Sequence, residues 1–468
     1  MIGKQNELER DGRDIGMKLI CFLFFLALIT PVGSNCYKNE TVTWTEIIKE
    51  ISENCTDELR LENKLINGDL NFSNLDLPRE YADLTDYERD RDIDRRTKLK
   101  ISFPIIINNS VVNGKLDFRD ILFENSISII NTRMKEANFF GAVFKGPAKF
   151  SGSSFNGNSE FLATRFSIDA NFENVTFNKP TDFDGSEIFV AHFKDATFNS
   201  SADFKSCKIY KSDFKSKFLG PADFSGASFL DYASFVNSYF NNSASFKQAN
   251  FLKDAHFRYS IFKGPAQFIG ANFSKDPKFD YATFNDIGDF SDVNVNKLSF
   301  ENAKMDNFYS NWYIAKNKLK LDNDYRTIRI YEALREQYIK SFMRDDANDC
   351  YYETMKIKAH LADDSISFFL IDRGQRYLYG YGVKPHYPLI LSACIIIIFW
   401  LLFRLIGIKK ALLFSYNIFL SGTGKLLVDA PDLPKDSSDL AMLLYNIERF
   451  FGLLLFSLFI IALTKSVS

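Results

Sequence analysis

The side chains in this sequence that could do chemistry are few, and the most suggestive lie toward its C-terminal end. Ser421-Gly-Thr-Gly424 sets two hydroxyls and two glycines in one short loop between two apolar runs. Carbonyls and hydroxyls on such a loop can stand in for an ion's hydration shell, which makes Ser421, Gly422, Thr423 and Gly424 a candidate pore loop. A plain turn after an interfacial helix is the other reading of the two glycines. Glu448, next to Arg449, is the one acid at the edge of the second run. An ionisable group inside a membrane helix is a functional candidate by default; at a helix start it marks the interface, or pairs with Lys409 or Lys410. Far upstream, Cys36 and Cys55 bracket a segment of helical spacing, 44–51, and are a candidate disulfide in an oxidising compartment, with two unpaired thiols as the alternative. Four histidines are scattered at His192, His256, His360 and His386, and no Ser/His/Asp set, CxxC pair, phosphate-cradling loop or one-sided carboxylate cluster occurs. The expectation is a non-enzyme with no catalytic residue, no cofactor and no metal.

The elements that must position these groups come from the rest of the 468 residues. The 57 Lys+Arg and 59 Asp+Glu nearly cancel, so nothing in the charge asks for a nucleic acid partner. The anomaly is the 49 Phe, thirty of which lie between Phe139 and Phe300. Their spacing alternates between five and six, as in Phe224, Phe229, Phe235, Phe240, Phe246, Phe251, Phe257 and Phe262. A small residue sits two positions before nearly every one, as in Ala222, Ala227, Ala233, Ala244, Ala249 and Ala255. That period fits neither a helix nor a long strand. Held over such a length, it predicts a solenoid in which each unit buries its apolar residue against the next coil.

Ala222-Asp-Phe224-Ser-Gly-Ala227-Ser-Phe229 and its tandem copies resemble the pentapeptide-repeat proteins. The resemblance implies a mainly β fold, a right-handed quadrilateral β-helix with four repeats per coil, Phe at the coil centre and the small residue filling a corner. The extra residue in every second unit departs from strict fives and implies about 22 residues per coil, with a one-residue bulge at alternate corners. Pro147, Pro180, Pro221 and Pro265 sit just before the small position, where a fixed φ and a missing N–H suit a corner. Between Phe183 and Phe224 the register reverts mostly to fives, which predicts a local irregularity. The β-helix is expected over 64–305, with a charged, solvated insertion at 79–98. Some proteins of this kind mimic duplex DNA with an acidic face; here 101–305 holds 22 basic and 22 acidic residues, which argues against it.

The two ends carry a location signal. Residues 1–34 read as a signal peptide or signal anchor, with Met17 a possible true start, and 35–63 as an N-terminal cap. Past the repeats, 306–376 read as a helical cap or linker, with helices over 325–342 and 347–361 and an apolar stripe of Tyr331, Leu334, Tyr338 and Phe342. Residues 377–468 read as a two-helix transmembrane module with spans near 387–408 and 445–465 and a re-entrant or interfacial segment at 411–424. Tyr379-Gly-Tyr-Gly-Val-Lys-Pro385, Phe414-Ser415 and Glu448-Arg-Phe-Phe-Gly452 resemble the C-terminal channel-like module of prokaryotic, archaeal-type pentapeptide-repeat membrane proteins. The resemblance implies an oligomeric, ion-conducting module with the β-helix as scaffold or sensor. The chain departs from a potassium filter, Thr-Val-Gly-Tyr-Gly, by ending its loop on Lys425, a cation. The alternative is a membrane-anchored surface scaffold without transport. Expected partners are the cell membrane, spanned more than once with the β-helix outside the cytoplasm, further copies of the chain, and an unidentified protein on the β-helix.

Overall fold

An apolar residue every five or six positions is placed inward if the chain turns a corner at each repeat, and the structure does this. The computed structural model describes residues 40–467 apart from 54–56, 73–74, 94–96, 306, 322, 363–365, 424–427 and 434–437. The chain divides into two compact units, Met1–Ala196 and Thr197–Ser468.

In the first unit the coils stack in parallel, and from Ile105 onward paired residues lie 21 or 22 positions apart, whereas Leu59 pairs with Ile105 across the 79–98 segment. Ile127 pairs with Ala148, Ala148 with Ala170 and Ala170 with Ala191 on one face, and Val143 with Arg165 and then Glu187 on another. The register stacks like on like. Phe139, Phe161 and Phe183 lie ring on ring at 4.8 and 4.6 Å, while Phe172 meets Phe161 edge-on at 5.3 Å, so stacked and T-shaped contacts alternate through the centre. One corner column contains Gly141, Ala163 and Gly185, all left-handed at φ +64°, +54° and +62°. A Cβ in that conformation is costly. Ala163→Gly is therefore expected to raise stability by about 1 kcal/mol in urea unfolding of the full chain, and an unchanged midpoint would show that the Cβ is tolerated there.

The charged segment 79–98 keeps most of its charges at the surface, but it is folded and two of its charged side chains are buried. After α1 (Trp44–Glu53), strand Arg79–Tyr81 runs antiparallel to Thr97–Ile101, and between them α2 (Asp86–Asp90) begins with a Thr85/Glu88 capping box. Lys98 and Glu88 are fully buried: the Lys98 ammonium donates to the Gly141 carbonyl at 2.6 Å and to Glu88 Oε1 at 3.1 Å. The Arg165 guanidinium donates to the Leu84 carbonyl, and Ala82 packs with Leu122 and Val143, so the segment lies along the side of several coils. Arg79, Asp83, Arg89, Asp90, Arg91 and Asp92 stay exposed, whereas Lys98 reaches a carbonyl 43 residues away that its local sequence does not reveal.

In the second unit the repeat has four two-residue strands per turn, such as Lys217–Phe218, Ala222–Asp223, Ser228–Phe229 and Ala233–Ser234. Tyr239 pairs with Ile261 and Ala244 with Ala266, 22 residues apart. The first coil of this unit is shorter: Thr197 pairs with Lys217 and Ala202 with Ala222, 20 apart, which is the irregularity the run of fives predicts. Outside, Asn250, Asn272 and Asn294 form an amide ladder with 2.8 Å bonds.

After α3 (Trp312–Asn317), the hairpin of α4 (Asp324–Lys340) and α5 (Arg344–Leu361) covers the last coil. Tyr338 donates to the Ser310 carbonyl at 2.6 Å and Arg326 to the carbonyls of Phe300 and Ala303. Tyr331, Leu334 and Tyr338 are buried as one stripe, but Phe342 is 85% exposed. Helix α4 ends at Lys340, and Phe342 turns left-handed at φ +60°, off the stripe that its spacing assigned it to.

Candidate functional site

The remaining helices are α6 (Ile366–Leu378), α7 (His386–Leu405), α8 (Ala411–Ser421) and α9 (Asp439–Val467). By length and composition α7 and α9 could each cross a membrane, and only 17% and 22% of their most apolar stretches are buried. Ile390, Ile397, Ile398 and Leu401 of α7, and Phe450, Leu453, Ile460 and Ile461 of α9, face outward. Such a surface is unlike the core helix of a soluble protein.

The short helix α8 packs on both through one face. Ala411, Ser415, Ile418 and Phe419 are buried at i, i+4, i+7 and i+8, against Phe399 and Phe403 among others, while Leu412, Leu413 and Tyr416 point away. Ser415 lies within 3.0 Å of the Ile396 carbonyl in α7 and also bonds the Glu448 carboxyl in α9. It thereby ties the three helices together. Glu448 is fully buried, and its Oε2 has no hydrogen-bond partner among the described residues. Among the described residues Glu448 makes no ion pair with Lys409 or Lys410, so the expected alternative of a lysine partner is corrected: the residue opposite it is a serine. Ser415 brings one hydrogen to two oxygens, one of them a carbonyl that only accepts, so the set has room for one proton on the carboxyl.

Of the candidate pore loop, Ser421, Gly422 and Thr423 lie within the described residues. Ser421 and Thr423 turn their hydroxyls back on the Ile418 and Leu420 carbonyls, each at 2.7 Å, closing the last turn of α8. Gly422 is right-handed helical at φ −59°, ψ −25° and lies where α8 crosses α9. A Cβ there would come within 2.2 Å of the Arg449 carbonyl oxygen, and one on the facing Gly452 within 2.0 Å of the Phe419 oxygen. Close backbone approach thus accounts for Gly422, and Gly452 is its partner. The signal for Gly452 was a lone glycine inside an apolar helix. Gly424, Lys425, Cys36, Cys55 and the whole 1–34 segment lie outside the described residues.

A second cluster escaped sequence reasoning. Where α9 ends, the Lys465 ammonium donates to the Tyr381 carbonyl at 3.1 Å and reaches the Tyr351 hydroxyl at 2.9 Å, and Asn348 donates to the Ser466 carbonyl. Lys384 pairs with Asp349, and the Tyr381 hydroxyl donates to Asp372 at 2.5 Å. Burial and the Asp372 carboxylate push the Tyr381 hydroxyl pKa above its usual range. The Tyr379–Gly382 motif is therefore the joint at which α9 returns to the segment opening α7. The two long helices run antiparallel, with their connection through α8 at the opposite end.

Residues 139–187, 214–261 and 257–304 match the family model for pentapeptide repeats (9 copies). Neither a curated protein nor a solved structure matches the chain.

Proposed function

We propose that the pentapeptide-repeat solenoid of this chain is the non-enzymatic scaffold of a membrane-anchored protein, held to the bilayer by α7 and α9 with α8 packed between them. One observation carries the reading: the apolar side chains of both long helices face outward, where water would penalise them and lipid would not. The solenoid, filled with Phe, offers its outer faces rather than a cavity, which suits a protein partner. With the reading of 1–34 as a leader, the solenoid stands outside the cytoplasm and the connection near Lys425 inside. The test is alkaline carbonate extraction of expressing membranes, with labelling of Lys425→Cys from either side. The chain should stay in the pellet, and its label should require permeabilised cells. Release into the carbonate supernatant would remove the anchor, and labelling of intact cells would invert the topology.

A second reading, an oligomeric ion-conducting module, is favoured by one feature: the partnerless oxygen of Glu448 within a membrane helix. It needs several copies to enclose a path. Conductance in planar bilayers that Glu448→Gln abolishes would establish it, and silence across monovalent and divalent ions would exclude it.

A further inference from the structure

Helix α6 is amphipathic in the wrong sense for a helix in water. Its polar side faces the protein, with Asp372 accepting from Tyr381 and Arg376 facing Tyr352. Its apolar side faces out: Phe369, Leu370, Ile371, Tyr377 and Leu378 are exposed, Leu370 at 64% and Ile371 at 58%. At helical spacing Leu370, Ile371, Tyr377 and Leu378 fall on one arc about 120° wide. Arg373 borders that arc, its guanidinium 4.8 Å from the Phe369 ring centre and donating to the Tyr377 hydroxyl at 3.1 Å. No carboxylate pairs with it among the described residues. A contiguous apolar face of this kind marks a surface that something covers. The chain itself narrows the choice, because α6 ends at Leu378 and the outward-apolar helix α7 begins at His386.

We infer that α6 lies in the plane of the bilayer interface, its Leu370, Ile371, Tyr377 and Leu378 face in the shallow acyl region and the Arg373 head among the lipid phosphates. The occupant is the same bilayer that covers α7, so the inference rests on the membrane reading proposed above. The chemistry is that of an interfacial helix: aromatic and aliphatic side chains enter the acyl boundary, and a cation on a long stem stays at headgroup level. What distinguishes α6 from an ordinary surface helix is that Asp372 and Arg376 on its polar side turn to Tyr381 and Tyr352, so that its apolar arc, bordered by Arg373, is what faces the surroundings.

The test uses the full chain reconstituted in phosphatidylcholine vesicles whose acyl chains carry bromine either near the glycerol end or near the methyl end. Of the three Trp, only Trp400 lies on α7, so in a parent protein carrying Trp44→Phe and Trp312→Phe it reports insertion of the span, and Leu370→Trp adds a reporter on α6. The expected result is that about half of the added emission is lost to bromines near the glycerol end, with a smaller loss to those near the methyl end. If the added emission ignores both lipids and is quenched by aqueous acrylamide while the parent emission is still quenched by bromine, the inference about α6 falls alone. If the parent emission is also untouched, the membrane reading itself falls. Ile371→Trp repeats the measurement on the same arc, should position 370 perturb the helix.

Discussion

Phe246→Ala is expected to destabilise the solenoid by about 3–5 kcal/mol, near the top of the range for a single core truncation. Phe246 is fully buried, stacks on Phe224 at 5.0 Å and on Phe268 at 4.9 Å, and meets Phe235 and Phe257 edge-on at 5.2 and 5.4 Å. Its neighbours are held by their own coils and cannot close over the space, so the cavity persists and the lost dispersion is not recovered. In a solenoid each coil leans only on the next, so the loss should be shared by the coils on either side. Phe189→Ala tests whether position rather than residue type is responsible: at 49% exposed it should cost about 0.5 kcal/mol or less. Denaturant titration of the full chain reads both. A loss below about 1 kcal/mol for Phe246→Ala would mean that the ring column is not a packed core.

Gly452→Val is expected to separate α8 from α9, at a cost of about 3 kcal/mol. The new carbons would fall on the Phe419 carbonyl, 2.0 Å from an ideal Cβ, and a backbone oxygen cannot rotate away as a side chain can. Gly422 fills the same crossing from the other helix, so neither strand of the contact can yield without moving a helix. The Ser415–Glu448 bond lies on the same helix pair and should be lost with it. The measurement is amide exchange over 411–421 in detergent, together with reaction of Glu448 toward a carbodiimide. Both should rise in Gly452→Val, to a lesser degree in Gly452→Ala, and not in Leu453→Val, whose side chain points outward. Unchanged exchange in Gly452→Val would show that α8 is not held by this crossing. The solenoid's own unfolding transition serves as the control for a folded chain.

The candidate site was legible only in part, and the reason is the distance between its members. Glu448 was visible as an acid beside an apolar run, and Ser421-Gly-Thr-Gly424 as a glycine-rich break. Ser415 and Glu448 are 33 residues apart with no period linking them, so nothing in the chain pointed one at the other. Gly422 could be read as a filter residue or as a turn, because a glycine needed for backbone exposure and one needed for close approach look alike in a sequence. Lys98 and Glu88 failed in the same way. Within an alternately charged run they read as solvated, and only the fold brings the Gly141 carbonyl, 43 residues away, to the ammonium.

The solenoid belongs to the opposite case. The buried Phe in it have partners at a near-constant separation of about 22 residues, so periodicity carries the contact, the parallel register and the short coil after Thr197. The stripe of Tyr331, Leu334 and Tyr338 was readable for the same reason, and Phe342 left it where the helix, and with it the period, stopped. Sequence alone determined which residues repeat and therefore which are core. Only the tertiary structure decided which isolated residues meet: that Ser415 faces Glu448, that Gly422 fits against Gly452, and that α6 turns its apolar side outward. Local propensity and period act between residues a fixed number apart. These contacts join residues at arbitrary separations, which only the packing of helices selects.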